Sequence, residues 1–207
     1  MTDARSPLFS RVLRGSALTA GSYAITQALR LASNLILARL LFPEAFGLMA
    51  LVSVFLVGLA MFSDVGIGPA ISQSPRGDEP DFLDTAWTVQ VLRGVILWLA
   101  TCLLAWPAAQ LYDAPELMQL LPVAGLTLLI GSFNTTRIDT ANRHLLLGRP
   151  TALDLIAQII GIVAMVVLAW AMRSVWALVI GALIGTVAKL VLTHLGLPGH
   201  RNRFRWE

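Results

Sequence analysis

The stretch from Thr151 to Leu195, TALDLIAQIIGIVAMVVLAWAMRSVWALVIGALIGTVAKLVLTHL, decides the fold class of this chain. It holds two apolar runs, at about 151 to 172 and 175 to 195, each long enough to cross a bilayer as a helix. Only Arg173 and Ser174 separate the runs, which predicts an antiparallel helical hairpin. Gly181 and Gly185 form a GxxxG pair, which predicts a packing seam within the protein.

Apolar runs of this kind recur along the whole chain. Of its 207 residues, 57% are hydrophobic and 13% are charged, against roughly 45–50% and 25% in soluble domains. No alternating pattern typical of an outer-membrane barrel recurs. We therefore expect an all-α polytopic membrane protein, with residues 1–207 forming a single bundle of six transmembrane helices. The predicted spans are about 17–41, 46–63, 86–109, 117–136, 151–172 and 175–195.

Basic residues in the connecting segments predict the orientation of the bundle. If the N-terminus is cytoplasmic, ten arginines of the termini and loops face the cytoplasm and only Arg173 faces outward. This bias is a strong positive-inside signal, so we expect a multi-pass membrane protein with both termini in the cytoplasm. The net charge of +3 comes from this bias, and no basic run suggests a nucleic-acid partner.

A polar stripe crosses the first predicted span. Tyr23, Gln27, Arg30 and Asn34 fall on one face of the helix, with Arg30 near its middle. A lipid-facing charge there costs between ~3 and ~15 kcal/mol, so Arg30 should face protein or a hydrated cavity. We expect these four residues to line a substrate-binding site. The alternative is a structural Arg30 that pairs with a buried carboxylate or with helix carbonyls.

Small residues mark the opposite face of the same helix. They recur every four residues and predict a ridge on which a neighbouring helix packs closely. The ridge consists of Ser16, Ala20, Ala24, Ala28 and Ala32.

Three other spans contain charged residues nearer their ends. Arg93 and Lys189 lie close enough to the predicted cytoplasmic boundary to extend their charge to the surface, or they face the lumen of the bundle. We include Arg93 among the substrate-binding candidates. Asp154 and Gln158 are one turn apart and are expected to pair with a cytoplasmic arginine.

Metal and cofactor chemistry finds little support in the sequence. Cys102 is the single cysteine, and the three histidines lack any ligand spacing. An acidic cluster, Asp78, Asp81 and Asp84, could hold Mg²⁺, but a solvated loop that caps the third span is the expected structure. We therefore predict no metal, no cofactor and no catalytic residue.

Several short motifs resemble those of a known family. The stretches RLLFPEAFGLMA (39–50), FSDVGIGPAI (62–71) with Gln73, and Asn142 through Arg149 are similar to those of bacterial polysaccharide flippases. These are the O-antigen and exopolysaccharide exporters of the multidrug/oligosaccharidyl-lipid/polysaccharide superfamily. The resemblance runs the length of the chain.

The resemblance implies a fold and an activity. Family members have two helical bundles and move an undecaprenyl-diphosphate-linked oligosaccharide from the cytoplasmic to the outer leaflet, for lipopolysaccharide or exopolysaccharide synthesis. This chain is similar to the N-terminal bundle, and we expect the second bundle to be absent from it. Alternating access through a cationic cavity is the implied mechanism. The implied partners are the lipid-linked oligosaccharide, membrane lipids and the enzymes that build and polymerise the repeat.

Three other functions remain open from the sequence. A multidrug-type exporter needs a carboxylate within a span, whereas Asp64 and Asp154 lie at span ends. A membrane-embedded enzyme acting on the same lipid carrier would use the acidic cluster, although no long soluble loop accompanies it. A non-catalytic subunit of a polysaccharide assembly complex would fit the short length of the chain.

Overall fold

The computed structural model describes residues 7–63, 66–144, 146–200 and 202–204, with side chains from Ala20 onward. These residues form helices joined by short turns, and no strand occurs among them. The predicted all-α class is therefore confirmed. The helices are α1 Pro7–Leu40, α2 Pro43–Phe62, α3 Ile67–Gln73, α4 Pro80–Leu111, α5 Leu117–Ser132, α6 Arg137–Arg143, α7 Gly148–Met172 and α8 Trp176–Gly196.

The described helices include fewer clear membrane spans than the six predicted. Four of them, α2, α4, α7 and α8, are long and apolar enough to cross a bilayer. A fifth span arises if α5 and α6, bent by 57° at their junction, count as one. Helix α1 has 34 residues but is not among them, because its polar face dilutes the apolar residues. The six-span count is thus not confirmed.

Helix boundaries differ from the predicted spans where a helix extends past the apolar run. Helix α4 begins at Pro80, not near residue 86, and the predicted loop from 64 to 85 contains α3. Proline suits the first position of a helix because that position lacks an internal acceptor for its N–H. Helix α5 ends at Ser132, and a turn leads into α6. A hydropathy window detects only the apolar part of such helices.

Two helix pairs pack closely through glycines. In the α7–α8 hairpin, a Cβ atom added at Gly161 would lie 3.0 Å from the Cα atom of Gly185. In the α4–α5 pair, a Cβ atom at Gly94 would overlap Ser132, and one at Gly125 would overlap Thr101. The predicted hairpin and its GxxxG seam are therefore confirmed, and small residues let the backbones approach.

The remaining helices pack around these two pairs. Helix α5 contacts α8 and joins the pairs, α1 packs on α7, and α2 packs on α5 and α4. Four residues of the predicted ridge on α1, Ala20, Ala24, Ala28 and Ala32, are all exposed, and the side chain of the fifth, Ser16, lies outside the described part. Within the described residues, the prediction that this ridge packs on a neighbour is wrong. The face that contains Ser33 and Leu37 is buried instead.

The short helix α6 ties one end of the bundle together. Arg137 donates to the carbonyl oxygens of Leu197 at 2.6 Å and His194 at 3.1 Å, at the C-terminal end of α8. Arg143 donates to the carbonyl oxygens of Ile71 and Ser74, at the C-terminal end of α3. We call this the basic end, where α4 and α7 begin and α5 and α8 end, and we call the opposite end the far end.

Candidate functional site

A groove runs between α1, α2, α7 and α8. Its volume is about 600 Å³, within the range of small-molecule sites. One face of each of these four helices contributes to its wall. The lining includes Thr26, Arg30, Ser33, Asn34 and Leu37 from α1, Phe46 and Met49 from α2, Asp154, Ala157, Gln158, Gly161, Ile162 and Met165 from α7, and Leu178, Gly181, Ala182, Gly185, Thr186 and Lys189 from α8.

The two ends of the groove differ in polarity. At the far end, Leu37, Leu41, Ala45 and Leu178 belong to one buried apolar cluster that joins all the helices around the groove. Toward the basic end, the wall carries Asp154, Thr186 and Lys189. The groove is therefore closed by apolar packing at one end and polar at the other.

Arg30 lines this groove, and it has no partner in the part of the chain that the structure describes. Its guanidinium is exposed, and none of the described residues accepts a hydrogen bond from it. The same holds for the side chain of Asn34, one turn further along α1. A structural Arg30 would need a carboxylate or carbonyl partner, and the described part of the chain supplies neither.

Lys189 and Asp154 form an ion pair on the groove wall, with 2.5 Å between Nζ and Oδ1. The prediction that Asp154 pairs with a cytoplasmic arginine is therefore wrong. Lys189, two helical turns before the C-terminal end of α8, takes that place because the glycine seam brings α7 and α8 together. Gln158 instead donates to the Thr26 carbonyl oxygen at 3.4 Å.

Three other predicted binding residues lie outside the groove lining. Tyr23 and Gln27 are on α1 nearer its N-terminus; Tyr23 is exposed and Gln27 half-buried. Arg93 on α4 donates to the Ala60 carbonyl oxygen at 2.8 Å and to Ser63 Oγ at 3.1 Å. The structure therefore brings Arg30 and Asn34 together with Lys189 and holds Arg93 against the end of α2.

The groove also contains residues that the sequence prediction omitted. They are Thr26, Ser33 and Lys189, which is absent from the predicted binding set because its position in the sequence fits either the membrane surface or the lumen of the bundle. Helical spacing was the available signal, since Gly181, Gly185 and Lys189 recur every four residues and share one face. Because Lys189 shares the face of α8 that carries the glycine seam, it must lie beside the helix that packs there, α7.

The acidic cluster is bound by protein groups and is only partly solvated. Asp78 accepts from Arg143 Nε at 3.2 Å and from His144 Nε2 at 2.9 Å. Asp84 is 5% exposed, and its Oδ1 atom accepts from His200 Nε2 at 2.8 Å and from the Arg203 N–H at 2.9 Å. The predicted solvated loop is therefore wrong for Asp84. Among the described residues, no three acidic, histidine or cysteine side chains are grouped to hold a metal ion.

The groove chemistry suits an anionic ligand. A guanidinium forms two parallel hydrogen bonds with a phosphate, and it keeps its charge at any physiological pH. Arg30 supplies such a group, and no acceptor among the described residues competes for it. Lys189 supplies a second cation, whose carboxylate partner a phosphate could replace.

These features define a polytopic helical membrane protein with a cationic groove between helices. A family model for polysaccharide biosynthesis proteins matches residues 36–207 of this chain. The chain belongs to this family, which confirms the predicted relationship to polysaccharide biosynthesis proteins. Searches of curated proteins and of solved structures returned no match.

Proposed function

We propose that this protein moves an undecaprenyl-diphosphate-linked oligosaccharide across the bacterial inner membrane for polysaccharide biosynthesis. The observation that carries the proposal is the unpartnered Arg30 guanidinium in a groove beside the bilayer-spanning helices. Family membership supports a role in polysaccharide biosynthesis. In this proposal the protein is a transporter and not an enzyme, and its basic end faces the cytoplasm.

Electrostatics supports a phosphate ligand. A charged diphosphate does not cross ~30 Å of hydrocarbon unaided, and a cationic groove lowers that barrier. The Arg30 guanidinium would bind the phosphate oxygens, and the side-chain amide of Asn34 would donate to a neighbouring oxygen. In this proposal the polyprenyl tail stays in the lipid while the headgroup occupies the groove.

The asymmetry of the groove supports a direction of loading. Its far end is closed by the buried cluster around Leu37 and Leu178, so a headgroup would enter from the polar, basic end. Outward release would require the helices around the far end to separate. Rocking of this bundle against another one supplies that motion in the alternating-access mechanism.

A flipping assay with the natural full-length gene product tests the proposal. Proteoliposomes would contain wild type, Arg30→Ala, Arg30→Lys or Arg39→Ala and a fluorescent undecaprenyl-diphosphate oligosaccharide. Arg39 is a matched control because it is an exposed arginine of α1 outside the groove lining. We expect Arg30→Ala to abolish flipping, Arg30→Lys to restore part of it, and Arg39→Ala to retain it.

Protein abundance in the same samples distinguishes the outcomes. Flipping lost from Arg30→Ala at normal abundance supports substrate contact. Loss of the protein from the membrane would assign Arg30 a structural role, and normal flipping by Arg30→Ala would reject the proposal.

Polymerase and glycosyltransferases that share the lipid-linked substrate are the expected protein partners, and pull-down after cross-linking would detect them.

A further inference from the structure

A second cavity lies at the basic end, outside the groove. Its volume is about 630 Å³, and it is formed by the starts of α4 and α7, by α6, and by the segment after α8. Its wall is largely apolar, with Leu83, Ala141, Leu146, Pro150, Leu197 and Pro198. Its charged or titratable side chains are Asp78, Arg137, His144, Arg149 and His200.

Most of these charged groups already have partners. The Asp78 carboxylate is held by Arg143 and His144. Arg137 donates hydrogen bonds from Nε and Nη1 to carbonyl oxygens of the segment after α8. None of the described residues accepts a hydrogen bond from its Nη2 group. His200 donates to the buried Asp84 carboxylate.

Arg149 is the exception. Its side chain is exposed on the cavity wall, and none of the described residues accepts a hydrogen bond from it. Two arginines, Arg137 and Arg149, line the cavity with a single carboxylate, Asp78, so the lining has an excess of positive charge. Such a cavity favours an anion.

The position of the cavity and the chemistry of its walls indicate which class of anionic ligand fits it. It lies level with the helix ends, and Leu146 on its wall is 67% exposed. Apolar walls around a guanidinium fit a ligand that has both a phosphate and acyl chains. We propose that this cavity binds the phosphate of an anionic phospholipid headgroup from the adjacent leaflet. The site shares no lining residue with the groove, so it is independent of the transport proposal.

Native mass spectrometry of the purified full-length protein tests this site. Phosphatidylglycerol and phosphatidylcholine would be titrated separately against wild type, Arg149→Ala, Arg149→Glu and Arg39→Ala. One interfacial arginine corresponds to about a fivefold change in affinity for an anionic lipid. We expect Arg149→Ala to weaken phosphatidylglycerol binding by about that factor, Arg149→Glu to weaken it further, and Arg39→Ala to leave it unchanged.

The other outcomes would overturn the proposal. They are equal affinities for the two lipids in wild type, an equal effect of the Arg149 and Arg39 substitutions, or displacement of the lipid by inorganic phosphate at comparable concentration. The last result would indicate a site for a soluble phosphate compound. Circular dichroism would verify folding, which Arg149→Ala should preserve because Arg149 has no partner among the described residues. The measurement does not depend on flipping, so its failure leaves the transport proposal standing.

Discussion

Lys189 of α8 and Asp154 of α7 form an ion pair on the wall of the groove that contains the unpartnered Arg30. The side chains of Lys189 and Asp154 are 40% and 53% exposed, respectively. Water in the groove therefore screens the pair, and its contribution to stability should be small. A phosphate that enters the groove can compete with Asp154 for the lysine.

We expect Lys189→Ala to reduce flipping strongly while Asp154→Asn does not, because only the lysine would contact the diphosphate. In a double-mutant cycle on thermal stability, the coupling should be about 0.5–1 kcal/mol, as for solvated pairs. Flipping assays and thermal unfolding in detergent would measure the two effects. Equal loss of flipping from both single variants would show that the intact pair, and not the lysine alone, is required.

The carboxylate of Asp84 should stabilise the folded protein. Its buried carboxylate accepts from His200 and Arg203, and Asp84→Asn removes a charged acceptor, at a cost of about 2 kcal/mol. We expect a clear fall in the melting temperature for Asp84→Asn and almost none for Asp78→Asn, whose carboxylate is half-exposed. Flipping per folded molecule should be unchanged in both variants.

This comparison also separates transport from catalysis. An enzyme that used the acidic cluster to hold Mg²⁺ would lose activity while the protein remained folded, since a charged ligand of a hard cation would be missing. Loss of activity per folded molecule in Asp78→Asn, together with Mg²⁺ dependence of the residual activity, would favour the enzyme.

Arg143 should stabilise the basic end, since it donates to carbonyl oxygens at the end of α3 and pairs with Asp78. We expect Arg143→Ala to lower stability by about 2 kcal/mol, because several acceptors lose a charged donor. Arg149→Ala is the control, as a basic residue of the same end without a partner among the described residues. Thermal unfolding that fails to distinguish the two variants would contradict this role.

The glycine seam predicts a steric effect on packing. A Cβ atom at Gly181 would lie 2.8 Å from the Cα atom of Met165, whereas nothing lies within 4 Å of one at Gly58. We expect Gly181→Leu to destabilise by about 1–3 kcal/mol or to prevent folding, and Gly58→Leu to be tolerated. Size-exclusion chromatography and thermal unfolding would compare them. Equal tolerance of leucine at both positions would contradict the seam.

The orientation can be tested with single cysteines in a Cys102→Ser background. The predicted topology places Ser174 on the periplasmic side of the membrane and Gln73 in the cytoplasm. A membrane-impermeant maleimide should label Ser174→Cys in intact cells and label Gln73→Cys only after permeabilisation. The reverse pattern would invert the topology and place the groove's polar end at the outer surface.

Sequence alone determined the fold class and the family of this protein. Long apolar runs must form helices in a bilayer because the backbone has no water to bond with. The two-residue link at Arg173 likewise determines a hairpin. Arg30 was identifiable for the same reason, since a charge within an apolar run must find protein or water.

Only the tertiary structure decided which residues share a site. The approach of α7 to α8 at Gly161 and Gly185 placed Lys189 beside Asp154, and packing of α1 through Ser33 and Leu37 left its alanine ridge exposed. Helical periodicity assigns residues to the faces of one helix, but it does not determine which face a neighbouring helix covers. Asp84 illustrates the same limit, because its partners His200 and Arg203 are distant in sequence and become neighbours only when the segment after α8 packs on α4.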